Sequence, residues 1–193
     1  SASKLMTLIQ EFRATHDTAL VLFTYLNPVY AYGYEKFHTD AAAAGADGIL
    51  LLDLPPDEVV NNNELASSKG LKHITLISPS TPKERLKMLA EQSEGFVYAL
   101  SRMGVTGAQA APASNIGEFV QSIKQHTDTP VCIGFGINAP EQAAAIANVS
   151  DGVVVGSAIV NKVAENAEST ALADNIGEFI QPLIHATKNS KHA

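Results

Sequence analysis

The sequence predicts an α/β fold in which helices cover a parallel β-sheet. Short apolar segments alternate with segments of helical periodicity, and the first helix carries Leu5, Leu8, Ile9 and Phe12 at helical spacing. The apolar segments show almost no polar alternation, which is typical of parallel strands that are buried on both faces. In such folds the functional loops follow the carboxyl ends of the strands.

About six strands are predicted, each followed by a helix, and no linker interrupts the pattern. The predicted strands cover residues 19–25, 48–52, 73–77, 95–100, 131–133 and 152–155. The predicted later helices cover residues 34–44, 56–68, 82–92, 114–125, 140–147 and 170–188. Gly45 and Gly70 directly follow helices, where a positive φ is favoured, and three prolines fall at or near first helical turns. We therefore predict a single domain over residues 1–193.

Composition excludes several classes of protein. The 193 residues are 46% apolar, enough for one core, and the net charge of −7 argues against binding to nucleic acid or to an anionic membrane. Cys132 is the only cysteine, so an intrachain disulfide or a cysteine metal site is impossible. Without a signal sequence or a long apolar run, the chain is expected to be soluble and cytoplasmic.

The six histidines show no metal-binding spacing. They stand at positions 16, 38, 73, 126, 185 and 192, without an H-x-x-H or H-E-x-x-H pattern. We interpret them as surface residues and expect no metal site.

Glycine-bearing segments follow three of the later predicted strands. They are Ser101–Ala108, Gly134–Ile137 and Val153–Ala158. Glycine lets backbone N–H groups approach an anion, and Ser157 stands where a helix N-terminus would add its partial positive charge. One such glycine usually only turns the chain. Three in succession at neighbouring strand ends favour a phosphate site, as found at the last strand–helix loops of (β/α) barrels.

Five motifs resemble the tryptophan synthase alpha chain family, in order and with suitable spacing. They are Tyr25–Gly33, Asp53–Glu58, Tyr98–Ala108, Gly134–Gln142 and Asp151–Val160. The resemblance implies a (β/α)8 TIM-barrel fold. It also implies retro-aldol cleavage of indole-3-glycerol phosphate to indole and glyceraldehyde 3-phosphate, a lyase reaction of tryptophan biosynthesis.

The resemblance also implies site residues and a partner. The implied phosphate-binding residues are Gly107, Gly136, Gly156 and Ser157. The pocket candidates for indole are Phe23, Tyr25, Leu50, Leu76 and Phe135, although such residues more often only fill a barrel. Tyr98 would border the substrate as a supporting residue, or would simply pack in the core. Asp53 would communicate with a beta chain in an α2β2 heterotetramer, or it could act as a helix cap or a catalytic group. No cofactor is expected in this chain, and pyridoxal phosphate is expected in the beta partner.

The chain departs from the family pattern at its start, where a helix precedes the first strand. The resemblance therefore predicts a barrel that is incomplete at its N-terminus, without its first two strands. The family's catalytic glutamate and aspartate would lie in that segment, so no catalytic residue is identified in this sequence and we expect little activity from these 193 residues alone. Two alternatives stay open. One is another phosphate-binding barrel, of the indole-3-glycerol-phosphate synthase or pentose-phosphate epimerase type, and the other is a non-catalytic fragment that binds phosphate or a partner subunit.

Overall fold

Helices and parallel strands alternate in the computed structural model, which describes residues 2–101, 113–134 and 136–190. The strands are β1 (Val21–Thr24), β2 (Gly48–Leu51), β3 (Lys72–His73), β4 (Leu76–Ile77), β5 (Val97–Leu100), β6 (Val131–Gly134) and β7 (Gly152–Val154). The helices are α1 (Ala2–Arg13), α2 (Leu26–Tyr32), α3 (Tyr34–Ala44), α4 (Val59–Ser68), α5 (Lys83–Gln92), α6 (Ala113–Lys124), α7 (Pro140–Ala147), α8 (Ser157–Glu165) and α9 (Leu172–Asn189).

Most of the predicted elements are confirmed, and the differences are local; α8 is a helix that the predicted set does not contain. The strand predicted over residues 73–77 is divided into β3 and β4, which belong to different sheets. Helix α2 is not among the predicted helices, because Asn27-Pro28 is a pattern typical of a strand end. Pro28 lies in the first turn of α2, where a missing N–H group costs no intrahelical hydrogen bond. The positive φ predicted after two helices is confirmed, at 103° for Gly45 and 82° for Gly70.

The chain divides into two compact units by its internal contacts. The first contains Ser1–Leu76 and Lys83–Val97, and the second contains Ile77–Pro82 and Tyr98–Ala193. A three-stranded sheet has the order β1-β2-β3 and a four-stranded sheet the order β4-β5-β6-β7. The pairs β1–β2, β2–β3 and β6–β7 are parallel. The prediction of a single domain stays a prediction.

The core of the first unit lies between its sheet and its helices. All four residues of β2 are buried, as expected for a strand covered on both faces. Leu22 and Ile49 are register partners and belong to one apolar cluster with residues of α1 and α3. Phe23 pairs with Leu50 one position further along, so these two side chains share the opposite face of the sheet.

Arg13 connects the end of α1 to two loops of the first unit. Its Nε donates to the carbonyl of Gly45 at 2.6 Å, and its Nη1 donates to the carbonyl of Thr18 at 2.6 Å. Its Nη2 forms an ion pair with Asp47, whose carboxylate also accepts the N–H of Leu20 at 2.7 Å. A single guanidinium thus holds the segments that lead into β1 and β2.

We expect Arg13→Ala to lower the free energy of unfolding by about 1–3 kcal/mol, because it leaves the part-buried carbonyl of Gly45 without its charged donor. Urea unfolding measures the change. Lys87→Ala is the matched control, since Lys87 makes an exposed 3.9 Å pair with Glu91 and its loss should cost no more than about 0.5 kcal/mol. Equal losses for the two variants would contradict the role given to Arg13.

Two histidines are buried, so the prediction that all six lie on the surface is wrong for these two. His38 on α3 is fully buried and His73 on β3 is 2% exposed. His38 Nε2 lies 3.0 Å from Asn62 Oδ1, and its Nδ1 lies 2.8 Å from the carbonyl of Tyr34. Spacing along the sequence tests for metal sites, but it does not report which face of a helix or strand packs inward.

The described part of the chain carries neither a metal-binding cluster nor a membrane-spanning helix. Residues 2–101, 113–134 and 136–190 contain no group of three or more His, Cys, Asp or Glu side chains placed to hold a metal ion. Within the same residues, no helix has the length and apolar character needed to cross a lipid bilayer.

Candidate functional site

Two of the predicted phosphate-binding glycines follow adjacent parallel strands. Gly134 at the end of β6 is the register partner of Val154 at the end of β7. Gly136 and Gly156 each stand two residues beyond these partners, so they lie at the same edge of the sheet, where the carboxyl ends of the strands meet. Gly136 has a φ of 76° and is exposed. A positive φ of this size favours glycine over any residue with a side chain.

Gly156 is the N-cap of α8, and Ser157 is the first residue of that helix. The carbonyl of Gly156 accepts the N–H groups of Ile159 at 2.9 Å and Val160 at 3.1 Å. The N–H groups of Ser157 and Ala158, which come before these, have no acceptor within the helix. In the part of the chain that the structure describes, no side chain caps the start of this helix. Among the described residues, no atom lies within 4 Å of a Cβ built on Gly156, so there is open space beside this glycine at the start of α8. The arrangement suits an anion such as phosphate.

Two further predicted contacts fall outside the described residues. They are Gly107, predicted to bind phosphate, and Phe135, predicted to line the indole pocket. Their roles stay predictions, as do those of Gly136, Gly156 and Ser157.

Tyr98 on β5 lies against Gly134 on β6. A Cβ built on Gly134 would be 2.5 Å from Tyr98 Cε2 and 2.6 Å from the Tyr98 hydroxyl oxygen, so only a glycine leaves room for this ring. Tyr98 is half-buried, and burial raises the pKa of its hydroxyl above the usual value. The hydroxyl therefore stays protonated at neutral pH and can donate a hydrogen bond. A glycine in the middle of a sheet often marks such a close approach, and this signal was available in the sequence.

The described pocket candidates differ in exposure. Phe23 and Tyr25 are each 57% exposed, whereas Leu50 is 3% exposed and Leu76 is half-buried. Phe23 and Leu50 share one face of the β1–β2 pair. Tyr25 is two residues beyond Phe23 in extended backbone, which directs it to that same face. The structure thus brings Phe23, Tyr25 and Leu50 together on one face of the first sheet.

Asp53 does not cap the helix that follows it. Its Oδ1 accepts the N–H of Leu26, the first residue of α2, at 2.6 Å. The sequence leaves open a cap on the helix through Pro55-Pro56, and the structure places the Asp53 carboxylate instead at the start of α2, which precedes it in the chain. Sequence reasoning could not find this contact, because α2 itself is not among the predicted helices.

Comparisons with known proteins agree on one family. Residues 1–187 match the family model of the tryptophan synthase alpha chain. The tryptophan synthase alpha chain of Desulfatibacillum aliphaticivorans is 40% identical over 188 residues, which are 97% of this chain and 71% of that protein.

Solved structures give the same result. Tryptophan synthase subunit alpha of Legionella pneumophila has a TM-score of 0.85 at 32% identity, covering 97% of this chain and 70% of that one. A chain from the tryptophan synthase α2β2 complex of Pyrococcus furiosus has a TM-score of 0.81 at 30% identity, covering 96% of this chain and 73% of that one. The predicted fold class, the (β/α)8 TIM-barrel family, is confirmed by this likeness. With a family model matched over nearly its whole length and a relative at 40% identity, the chain belongs to the tryptophan synthase alpha chain family.

Proposed function

We propose that this protein acts in the retro-aldol cleavage of indole-3-glycerol phosphate to indole and glyceraldehyde 3-phosphate, as a lyase of tryptophan biosynthesis. The observation that carries the proposal is the open start of α8 beside the end of β6, in a chain that belongs to the alpha chain family. A phosphate there would accept hydrogen bonds from Gly156, Ser157 and neighbouring N–H groups.

The reaction breaks the bond between indole C3 and the glycerol chain. A proton is added at C3, the bonding electrons go to the ring, and the neighbouring hydroxyl loses its proton to become the aldehyde. Phe23 and Tyr25, both exposed, offer an apolar surface on which the indole ring would lie, with the buried Leu50 on the same face of the sheet. The protonated Tyr98 hydroxyl is a hydrogen-bond donor. We assign the acid and the base of this reaction to no residue of this chain.

The proposal includes a partner. We propose that the chain pairs with a tryptophan synthase beta chain in an α2β2 assembly, as the Pyrococcus furiosus protein does. We also propose that the pyridoxal phosphate of that assembly belongs to the beta chain, that this chain carries no cofactor, and that it works in the cytoplasm. Co-elution of purified alpha and beta chains at a mass that fits α2β2 would support the pairing, and separate elution would contradict it.

Gly156→Val should weaken phosphate binding while leaving the fold intact. A valine side chain would enter the open space beside Gly156, where the proposal places the phosphate, and glycerol 3-phosphate should bind weaker by about 2–3 kcal/mol through lost N–H contacts and steric conflict. Calorimetry with glycerol 3-phosphate measures the affinity, and far-UV circular dichroism checks the fold.

The control is Gly177→Val on α9, another position where an added Cβ meets no atom of residues 2–101, 113–134 and 136–190 within 4 Å. Its affinity for glycerol 3-phosphate should equal that of the unchanged protein. Unchanged affinity in Gly156→Val would remove Gly156 from the site. Indole release from indole-3-glycerol phosphate, measured with and without a beta chain, tests the reaction itself.

A further inference from the structure

Two consecutive residues, Leu52 and Asp53, bind the backbone on either side of Tyr25. The β1–β2 register ends at Thr24 and Leu51. Beyond it, the N–H of Leu52 donates to the carbonyl of Thr24 at 2.9 Å. The Asp53 carboxylate then accepts the N–H of Leu26 at 2.6 Å. Tyr25 is the residue between these two bonds.

The bond to Asp53 replaces a missing local cap. The N-cap position of α2 is Tyr25, and no side chain of the N-cap residue caps this helix. Tyrosine has no short polar side chain that could reach the first-turn amides, as Ser, Thr, Asp or Asn would. The carboxylate of Asp53 supplies the acceptor from the end of the neighbouring strand, and its negative charge suits a helix start.

Tyr25 is held at its backbone while its ring remains accessible. Its φ of −84° and ψ of 161° are extended, and the residue is 57% exposed. The peptide between Tyr25 and Leu26 carries the N–H group that Asp53 binds. The Asp53 carboxylate therefore holds the peptide group that directly follows Tyr25.

We propose that Asp53 is a positioning residue that sets Tyr25 for contact with the indole portion of the substrate, through the N–H of Leu26. This inference rests on the proposed function, which places Tyr25 at the indole pocket. A positioning role for Asp53 differs from a role in partner contact in one measurable way. A positioning residue affects indole binding when no beta chain is present, whereas a residue that only touches the partner does not.

The test uses the isolated chain, with indole as the probe. In Asp53→Ala the Leu26 amide loses its acceptor, so we expect about three- to tenfold weaker indole binding, a faster hydrogen exchange of that amide and shifted ring resonances of Tyr25 in aromatic 13C NMR spectra. Asp53→Asn keeps an Oδ1 acceptor and should restore most of the affinity. Asp57→Ala is the matched control, because Asp57 is an exposed carboxylate of the same loop, and it should change none of these readouts.

Two results would overturn the proposal. One is an unchanged set of Tyr25 resonances in Asp53→Ala, with Tyr25→Phe used for their assignment. The other is full indole affinity in isolated Asp53→Ala together with weaker binding only when the beta chain is added, which would make Asp53 a partner contact alone. If the unchanged protein itself does not bind indole, the proposed indole pocket fails, and the Tyr25 resonances then decide the positioning role separately.

Discussion

Replacing Gly134 by leucine is expected to destabilise the second unit by about 3 kcal/mol and to displace Tyr98. Even the first side-chain carbon would lie 2.5 Å from the Tyr98 ring, well inside contact distance, and the rest of a leucine has to enter the same space. Gly134 is buried and ends β6, so the backbone cannot move away without disturbing its pairing with Val154. The tyrosine ring must therefore leave its position.

A double-mutant cycle separates this collision from other effects of the substitution. Tyr98→Ala removes the ring that the introduced leucine would strike, so the double variant should be less destabilised than the sum of the two single variants by about 1–2 kcal/mol. Urea unfolding of the four proteins gives the coupling. Gly177→Leu serves as control, because an added Cβ at Gly177 meets no described atom within 4 Å. Strict additivity would show that Tyr98 does not occupy this space.

The contribution of His73 to the free energy of unfolding should fall by about 3 kcal/mol as the pH is lowered from 7 to below 4. Burial, opposed by the nearby Glu94 carboxylate and assisted by His38, lowers the pKa of His73 from its usual 6.5 to about 4. Its Nδ1 has no hydrogen-bond partner among the described residues. Folding therefore favours the neutral ring.

The sign follows from proton binding. Between pH 6.5 and about 4 the unfolded chain binds a proton at His73 that the folded chain does not, so unfolding is favoured as the pH falls. The stabilisation is complete above pH 6.5 and is lost as the pH falls through the folded pKa. Urea unfolding across this range measures it. His73→Gln should flatten the curve, whereas His185→Gln, at an exposed position of α9, should leave its shape unchanged. An identical pH profile for His73→Gln would contradict the role of His73.

Local signals in the sequence determined where most helices and strands of this protein lie. The predicted bounds of α3 and α7 agree with the structure, because helical periodicity, a glycine with positive φ after α3 and a proline at the start of α7 are all encoded by near neighbours. The location of Gly136 and Gly156 at one edge of the sheet was also predictable, since the carboxyl ends of parallel strands meet at the same edge. The family resemblance, carried by motifs that span the chain, is confirmed.

Tertiary structure decided which distant residues meet. Asp53 and Leu26 are 27 residues apart in sequence, and their contact depends on the pairing of β1 with β2 and on a helix that begins where the sequence pattern indicates a strand end. The burial of His73 depends on which face of β3 the helices cover. The position of the Tyr98 ring depends on Gly134, which belongs to another strand. Side-chain periodicity indicates which face of a helix or strand is apolar, but it does not indicate which element packs against that face. Strand order and register decide this, and they are fixed only when the whole sheet is assembled.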